Sequence, residues 1–262
     1  MIIRKYLDNL QSKGRHSFTA KELKKELELS DGAICSSIFR LKKKGEIATL
    51  AKGYYIIIPL EYRALKSLPP DHFIDGLMKH LQAPYYVGLL SAAQRYGAAH
   101  QKPQIFQVMV SVSKRPIKVG RVRVEFIMKK LLKETPTQRF NTPRGYIFYS
   151  TPEATAIDLV SYPSRSGGLG NVITVLAELV EEMKIDSFKE GLAFCSERSV
   201  LQRLGYLFEL NEESLFAEAV FEHLGERGDL ETVLLDIRSR IKKGEINKKW
   251  RLIINTQLES EV

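Results

Sequence analysis

The 262 residues predict an α+β chain in two parts, on three observations. Short amphipathic helices and a β-hairpin follow one another through residues 2–58. A stretch with period-two alternation begins at Ile105. From Thr151 onward the apolar residues return mainly to helical spacing.

Each element has its own signal. Ile3, Tyr6, Leu7 and Leu10 recur three and four residues apart, which predicts a helix over 2–12, ended by Lys13-Gly14. Thr19 and Glu22 make the T-x-x-E pattern of a capping box, and Leu23 and Leu27 mark the inner face of a second helix. Ser30 or Asp31 caps a third, in which Ile34, Ile38 and Leu41 share a face and Gly45 stands just past the end. Two β-rich runs, 47–50 and 54–58, then flank Ala51-Lys52-Gly53 as a hairpin, and Pro59 closes it. Three helices and a hairpin, in that order, are the parts of a winged helix-turn-helix. That fold lays its third helix in the DNA major groove and reaches over the neighbouring backbone with the hairpin, or wing.

A linker ending in Ser67-Leu68-Pro69-Pro70 closes this first domain at 1–70. The second, 71–262, is expected to be a mixed α/β domain with a small sheet and several helices. It opens with predicted helices at HFIDGLMKHL and YYVGLLSAAQRYGAAHQ. A basic sheet region over 105–150 follows, with strands at IFQVMVSV, VGRVRVEFI and GYIFYS. The part over 151–262 reads as helical. Thr151 is its N-cap and Pro152 its first helical position, with further helices at NVITVLAELVEEM, SVLQRLGYLFEL, EESLFAEAVFEHL and LETVLLDIRSRI and a short strand at WRLIIN.

Charge divides the chain unevenly. Residues 1–60 carry 12 Lys and Arg against 6 Asp and Glu, residues 61–150 carry 15 against 5, and residues 151–262 carry 13 against 20. A basic front and an acidic back point to a polyanion as partner for the first 150 residues. No apolar run is long enough for a membrane helix, and the start MIIRKYLDNL has charges where a signal peptide has its apolar run, so a cytoplasmic location and no membrane partner are expected. Cys35 and Cys195 lack pairing or zinc spacing and read as small core residues. The five histidines, His16, His72, His80, His100 and His223, make no H-x-x-x-H or H-E-x-x-H pattern, and SRSGGLGN lacks the Gly-Lys-Ser/Thr of a phosphate loop. Neither metal, cofactor nor catalytic residue is expected, and the chain reads as a non-enzyme. The alternative is a nucleic-acid-modifying enzyme delivered by its winged helix. Glu125 beside Lys129 would be its centre, but the strand offers no second carboxylate to share a metal.

Two groups of residues point to nucleic acid. With Ile34, Ile38 and Leu41 inward, and Phe39 leaning to the core side with Leu41, the outer arc of the third helix holds Gly32, Ala33, Ser36, Ser37, Arg40 and Lys43. Small residues let a backbone approach base edges, the hydroxyls of Ser36 and Ser37 donate or accept, and Arg40 can fork onto guanine. Lys42, Lys43, Lys44 and Lys52 in the wing would neutralise phosphates. Cations in a last helical turn also complement the helix dipole without any ligand, so it is the place of this run before a hairpin that favours DNA. The second group is Lys114, Arg115, Lys118, Arg121 and Arg123. In VRVEF the arginines share one sheet face and Val122, Val124 and Phe126 the other, which leaves a face for a polyanion or for solvent.

KGYYIIIP, YYVGLLSAAQRYGAAHQ, RPIKVGRVRVEFI, the Thr-Pro-Glu helix start and Gly-Gly-Leu-x-Asn-Val segment of YSTPEATAIDLVSYPSRSGGLGNVITVLAELVEE, RLGYLFE and KWRLIIN together resemble the AbiEi antitoxins of bacterial type IV toxin–antitoxin systems, which serve in phage defence. The resemblance implies a transcriptional repressor of its own operon that binds inverted repeats in double-stranded promoter DNA. It also implies a second domain that counters an AbiEii toxin, itself similar to a nucleotidyltransferase. It would assign DNA reading to Ser36, Ser37, Arg40 and Lys43 and phosphate contact to Lys42, Lys44 and Lys52, with the Arg121 and Arg123 face extending that contact. Asp31, anionic at the start of the third helix, departs from such a reading role. A solitary, ligand-responsive repressor is the other alternative, and a nucleotidyltransferase-like gene downstream would argue against it.

Overall fold

The computed structural model describes residues 2–98, 104–225 and 230–258. The chain is α+β and divides into two compact units. The first unit gathers residues 1–86, 104–132 and 139–148; the second gathers 87–103, 133–138 and 149–262.

The first unit starts with α1 (Ile2–Ser12), β1 (Ser17–Thr19), α2 (Ala20–Leu27), α3 (Asp31–Lys43), β2 (Ile47–Ala51) and β3 (Tyr54–Ile57). The caps are where local chemistry requires them. Thr19 Oγ1 accepts from the Glu22 amide at 3.1 Å and Glu22 Oε2 from the Thr19 amide at 2.7 Å, a complete capping box. Ser30, rather than Asp31, caps α3, accepting from the Ala33 amide at 3.3 Å, while Asp31 pairs with Lys24 at 2.7 Å. Past the end of α3, Gly45 takes φ +67°, which a residue with a Cβ adopts only at a cost. Ile3, Leu7, Leu10, Phe18, Leu23, Ile34, Ile38, Ile47 and Ile57 form one buried cluster from all of these segments except α2's polar face and the outer side of α3. Arg4 of α1 clamps the buried Glu46 at 2.6 Å.

β2 and β3 make the expected antiparallel hairpin, with Ala51 opposite Tyr54 and Lys52-Gly53 as its turn. β1 adds a third strand on the far side of β3, giving the order β1-β3-β2; three residues are too short a signal to be read from the sequence.

Next come α4 (Ile74–His80), β4 (Tyr85–Val87), α5 (Leu89–Arg95), β5 (Phe106–Val110), β6 (Ile117–Val119), β7 (Val122–Met128), β8 (Thr137–Thr142) and β9 (Gly145–Ser150). The strands form a six-stranded sheet in the order β6-β7-β5-β4-β9-β8. Tyr85–Val87, expected to begin a helix, is instead an inner strand, because its β-favouring residues find partners on both sides. Ala99, His100 and Gln101 of the same expected helix lie outside the described residues.

The connection after β3 is tied to the first unit by Arg144, whose Nε donates to His72 Nδ1 at 3.1 Å and whose guanidinium lies 3.8 Å from Glu61. Burial, helped by Arg144 and opposed by Asp71, lowers the pKa of His72 below its ordinary 6.5, and burial does the same for His16. The unfolded chain therefore takes up these protons more readily than the folded one. Their contribution is full above the unfolded value and is lost as pH falls below it towards the lowered folded value. Thermal unfolding should accordingly show a lower Tm at pH 5 than at pH 7, and His72→Asn, which still offers Arg144 an acceptor, should narrow that difference. An unchanged difference would assign the pH dependence to other groups.

In the second unit, α6 (Pro152–Ser161) is the axis. Pro152 to Val160 are all buried, and α5, α7 (Leu169–Leu179), α8 (Ile185–Leu192) and α9 (Arg198–Leu210) pack around it. Thr151 caps it, accepting from the Ala154 amide at 3.3 Å, and its buried Glu153 accepts from the Lys184 amide at 3.0 Å. Phe188 of α8, Phe208 of α9 and Phe216 of α10 (Ser214–Gly225) meet at centroid distances of 5.3–5.5 Å. The helix expected at LETVLLDIRSRI does not form. Val233–Leu234 is a short strand, β10, which with β11 (Glu245–Asn247) and β12 (Leu252–Ile254) makes a sheet ordered β10-β12-β11. Distant side chains take up the polar groups that a helix would use internally. Arg203 donates to the Leu234 and Leu235 carbonyls, and Asn255 bonds the Asp236 amide and carbonyl and the Ile241 carbonyl. Trp250, fully buried, lies over Gly205 so closely that a Cβ there would sit 2.1 Å from the indole.

Candidate nucleic-acid interface

The inner face of α3 is as expected: Ile34 and Ile38 are buried and Leu41 is half-buried. Gly32, Ala33, Ser36, Arg40, Lys42 and Lys43 are exposed, as is Lys44 in the turn after the helix. Ser37 is half-buried at the edge of this arc, and its Oγ accepts from Arg40 Nη2 at 3.3 Å, so the serine steadies the guanidinium while its own O–H can still donate. Two expectations fail here. Phe39 does not lean to the core but is 68 % exposed, and Cys35 is exposed too, whereas Cys195 is buried as expected. The reason is angular: at 100° per residue, a side chain five positions after Ile34 points nearly opposite to it, and one position after it points well to the side.

None of Arg40, Lys42, Lys43, Lys44 and Lys52 has a carboxylate within ion-pair distance among the described residues, although α1 and α2 carry such pairs at Arg4–Glu46 and Arg15–Glu22. Lys52 is exposed on the hairpin turn, where its carbonyl lies 3.4 Å from His80 Nε2. Arg63 Nη1 donates to the Lys44 carbonyl at 3.3 Å and its Nε to the Ile58 carbonyl at 2.9 Å, bracing the end of α3 against the segment that leaves β3.

The second basic group belongs to the same compact unit. β6 and β7 form an antiparallel hairpin in which Lys118 stands directly opposite Arg123, two like charges on one sheet face. Arg115, Lys118, Arg121 and Arg123 are exposed and Lys114 is half-exposed, and again no carboxylate pairs with any of them among the described residues. The expected alternation holds at Val124, which is buried, but changes sense further along, where Ile127 is buried and Met128 exposed. Glu125 is half-buried beside Gln107 of β5. The hairpin turn is fixed by main-chain contact: the Arg121 amide donates to the Leu65 carbonyl at 3.0 Å, and Gly120, at φ +54°, has that oxygen 2.0 Å from where a Cβ would stand. β6 also lies beside β2, the strand that leaves α3.

Among the described residues, no three His, Cys, Asp or Glu side chains gather as a metal site would require, and no helix is long and apolar enough to cross a membrane.

The fold is similar to the crystal structure of the RV2827C protein from Mycobacterium tuberculosis, with a TM-score of 0.67 at 17 % identity over 95 % of this chain and 89 % of that one. No curated protein matches the sequence. Residues 86–210 match the family model of the AbiEi antitoxin C-terminal domain. That segment, which runs from β4 to the end of α9, carries the AbiEi antitoxin C-terminal domain.

Proposed function

We propose that this chain binds double-stranded DNA and represses its own toxin–antitoxin operon. Residues 1–70 serve as a winged helix-turn-helix, with α3 as the reading helix and the β2–β3 hairpin as the wing; residues 71–262 serve as the antitoxin domain. Arg40 and Ser36 read bases, Ser37 holds Arg40, and Lys42, Lys43, Lys44 and Lys52 neutralise phosphates. Two copies on inverted repeats would double the readout. The antitoxin domain counters an AbiEii-type, nucleotidyltransferase-like toxin, as the resemblance of the sequence implies, and it does so without catalysis. The observation that carries the DNA reading is the run of unpaired cations at the end of α3 and on the hairpin turn. In a solvated surface these charges would be expected to mix with acids, as they do on α2.

The face of Lys118 and Arg123, with Arg121, Lys114 and Arg115 around it, continues the phosphate track. Opposed like charges on a strand pair cost stability unless an anion lies between or over them. The test is binding to the protein's own promoter fragment, against unrelated DNA, over a series of salt concentrations. Wild-type protein should prefer the promoter. Changing Lys118, Arg121 and Arg123 together to glutamate should flatten the log–log salt slope by about 0.9 for each phosphate that is no longer neutralised, while leaving the preference for promoter over unrelated DNA in place. An unchanged slope would remove this face from the DNA path, and equal binding of wild type to both DNAs would overturn the repressor reading itself.

A further inference from the structure

Phe39 is the feature that the phosphate-and-arginine account leaves unused. It is the most exposed phenylalanine of the chain at 68 %, and no aromatic ring or cation lies over it among the described residues. Its position is central rather than marginal. At 100° per residue, Gly32, Ser36, Phe39 and Lys43 follow one another along a single line of α3, opposite Ile34 and Ile38. The two residues before it on that line are small, so this side of the helix can approach another surface closely, and the phenyl ring would be the first bulky group to touch it. Arg40 lies about a quarter-turn away, steadied by Ser37.

A ring this open to water, on a face otherwise made of a glycine, a hydroxyl and cations, is suited to a surface that is anionic overall but carries isolated apolar points. The major groove has that character. Its one apolar feature is the C5-methyl group of thymine, and phenylalanine is among the side chains whose contact with that methyl discriminates A·T from G·C pairs. We infer that Phe39 is a specificity-determining residue that reads a thymine methyl next to the base pair contacted by Arg40. The inference rests on the DNA-binding reading above and sharpens it, since it names a preference for thymine that charge alone does not supply.

Uracil differs from thymine by that methyl alone, which gives a direct test with intact protein. The promoter fragment is prepared once with thymine and once with uracil at every such position, and wild type and Phe39→Ala are titrated against both. Wild type should bind the uracil fragment more weakly by roughly four-fold for each methyl met, the equivalent of about 0.8 kcal/mol. Phe39→Ala should bind both fragments alike, near the level of wild type on uracil, with an unchanged salt slope because no charge is removed. Wild type binding both fragments equally would overturn the inference, as would an equal uracil penalty in wild type and variant. Phe39 acting between two copies of the chain would show as a concentration-dependent loss of self-association in the variant with no thymine dependence, and that too overturns it. Absence of any promoter preference in wild type is a different result, which fails the repressor reading before Phe39 is reached.

Discussion

Trp250→Ala should destabilise the second unit by about 3–5 kcal/mol, the cost of emptying a fully buried indole site, and lower its unfolding midpoint by on the order of 10 °C. The indole lies against Gly205 in α9, its Nε1 donates to Glu209, and Phe221 of α10 meets it edge-on at 5.7 Å. Its main-chain amide is held by Asn247 Oδ1 at 3.0 Å. One side chain thus fastens the β11–β12 turn to two helices. The complementary change, Gly205→Ala, should also destabilise, by about 1–3 kcal/mol, since the added Cβ would fall 2.1 Å from the ring. Differential scanning calorimetry of the two variants tests both. A midpoint within about 2 °C of wild type for Trp250→Ala would mean that the C-terminal sheet contributes little to the cooperative unit.

Arg40→Ala should remove most of the preference for promoter DNA, about 1–3 kcal/mol or roughly 5- to 150-fold in relative affinity, with little effect on binding to unrelated DNA. Arg40 is exposed, unpaired with any carboxylate among the described residues, and held by Ser37 in a defined direction, which is what a bidentate reader of guanine requires. Lys43→Ala should behave differently. It should weaken binding to all sequences together and reduce the salt slope by about one. Competition titrations with promoter and unrelated fragments separate the two patterns. Identical promoter preference in wild type and Arg40→Ala would remove the reading role from Arg40.

The features legible in the sequence are those decided within a few residues. The capping box at Thr19 and Glu22, Thr151 and Pro152 at the head of α6, Gly45 after α3 and a hairpin turn at Ala51-Lys52-Gly53, from which only Ala51 passes into β2, are all local, and each stands where its residue types require. What the sequence does not show depends on distant partners. β1 exists because β3 offers it an edge, and Tyr85–Val87 extends because strands lie on both sides of it. Residues 233–241 forgo a helix because Arg203 and Asn255 occupy their backbone groups. β8 and α8 carry little local signal either: Thr137–Thr142 is polar and largely exposed, and the apolar positions in Ile185–Leu192 are few. In the candidate site, the cations and the serines of α3 can be named from spacing, but proximity to Leu41 puts Phe39 on the wrong side. Counting its angle from Ile34 exposes it.

The contact between Gly120 and Leu65 bears on how this protein can be taken apart. A piece ending at residue 70 keeps the Leu65 carbonyl but discards the Arg121 amide that satisfies it, and a piece beginning at residue 71 leaves the turn of β6 and β7 without its seat. Neither fragment would present the Lys118 and Arg123 face as the whole chain does. Dissection that keeps residues 2–86 with 104–132 and 139–148, by permuting or splicing the chain, would preserve it. For this molecule, the natural unit of subtraction is set by which backbone groups bond one another, and a cut made in chain order removes part of the basic surface along with the segment it was meant to isolate.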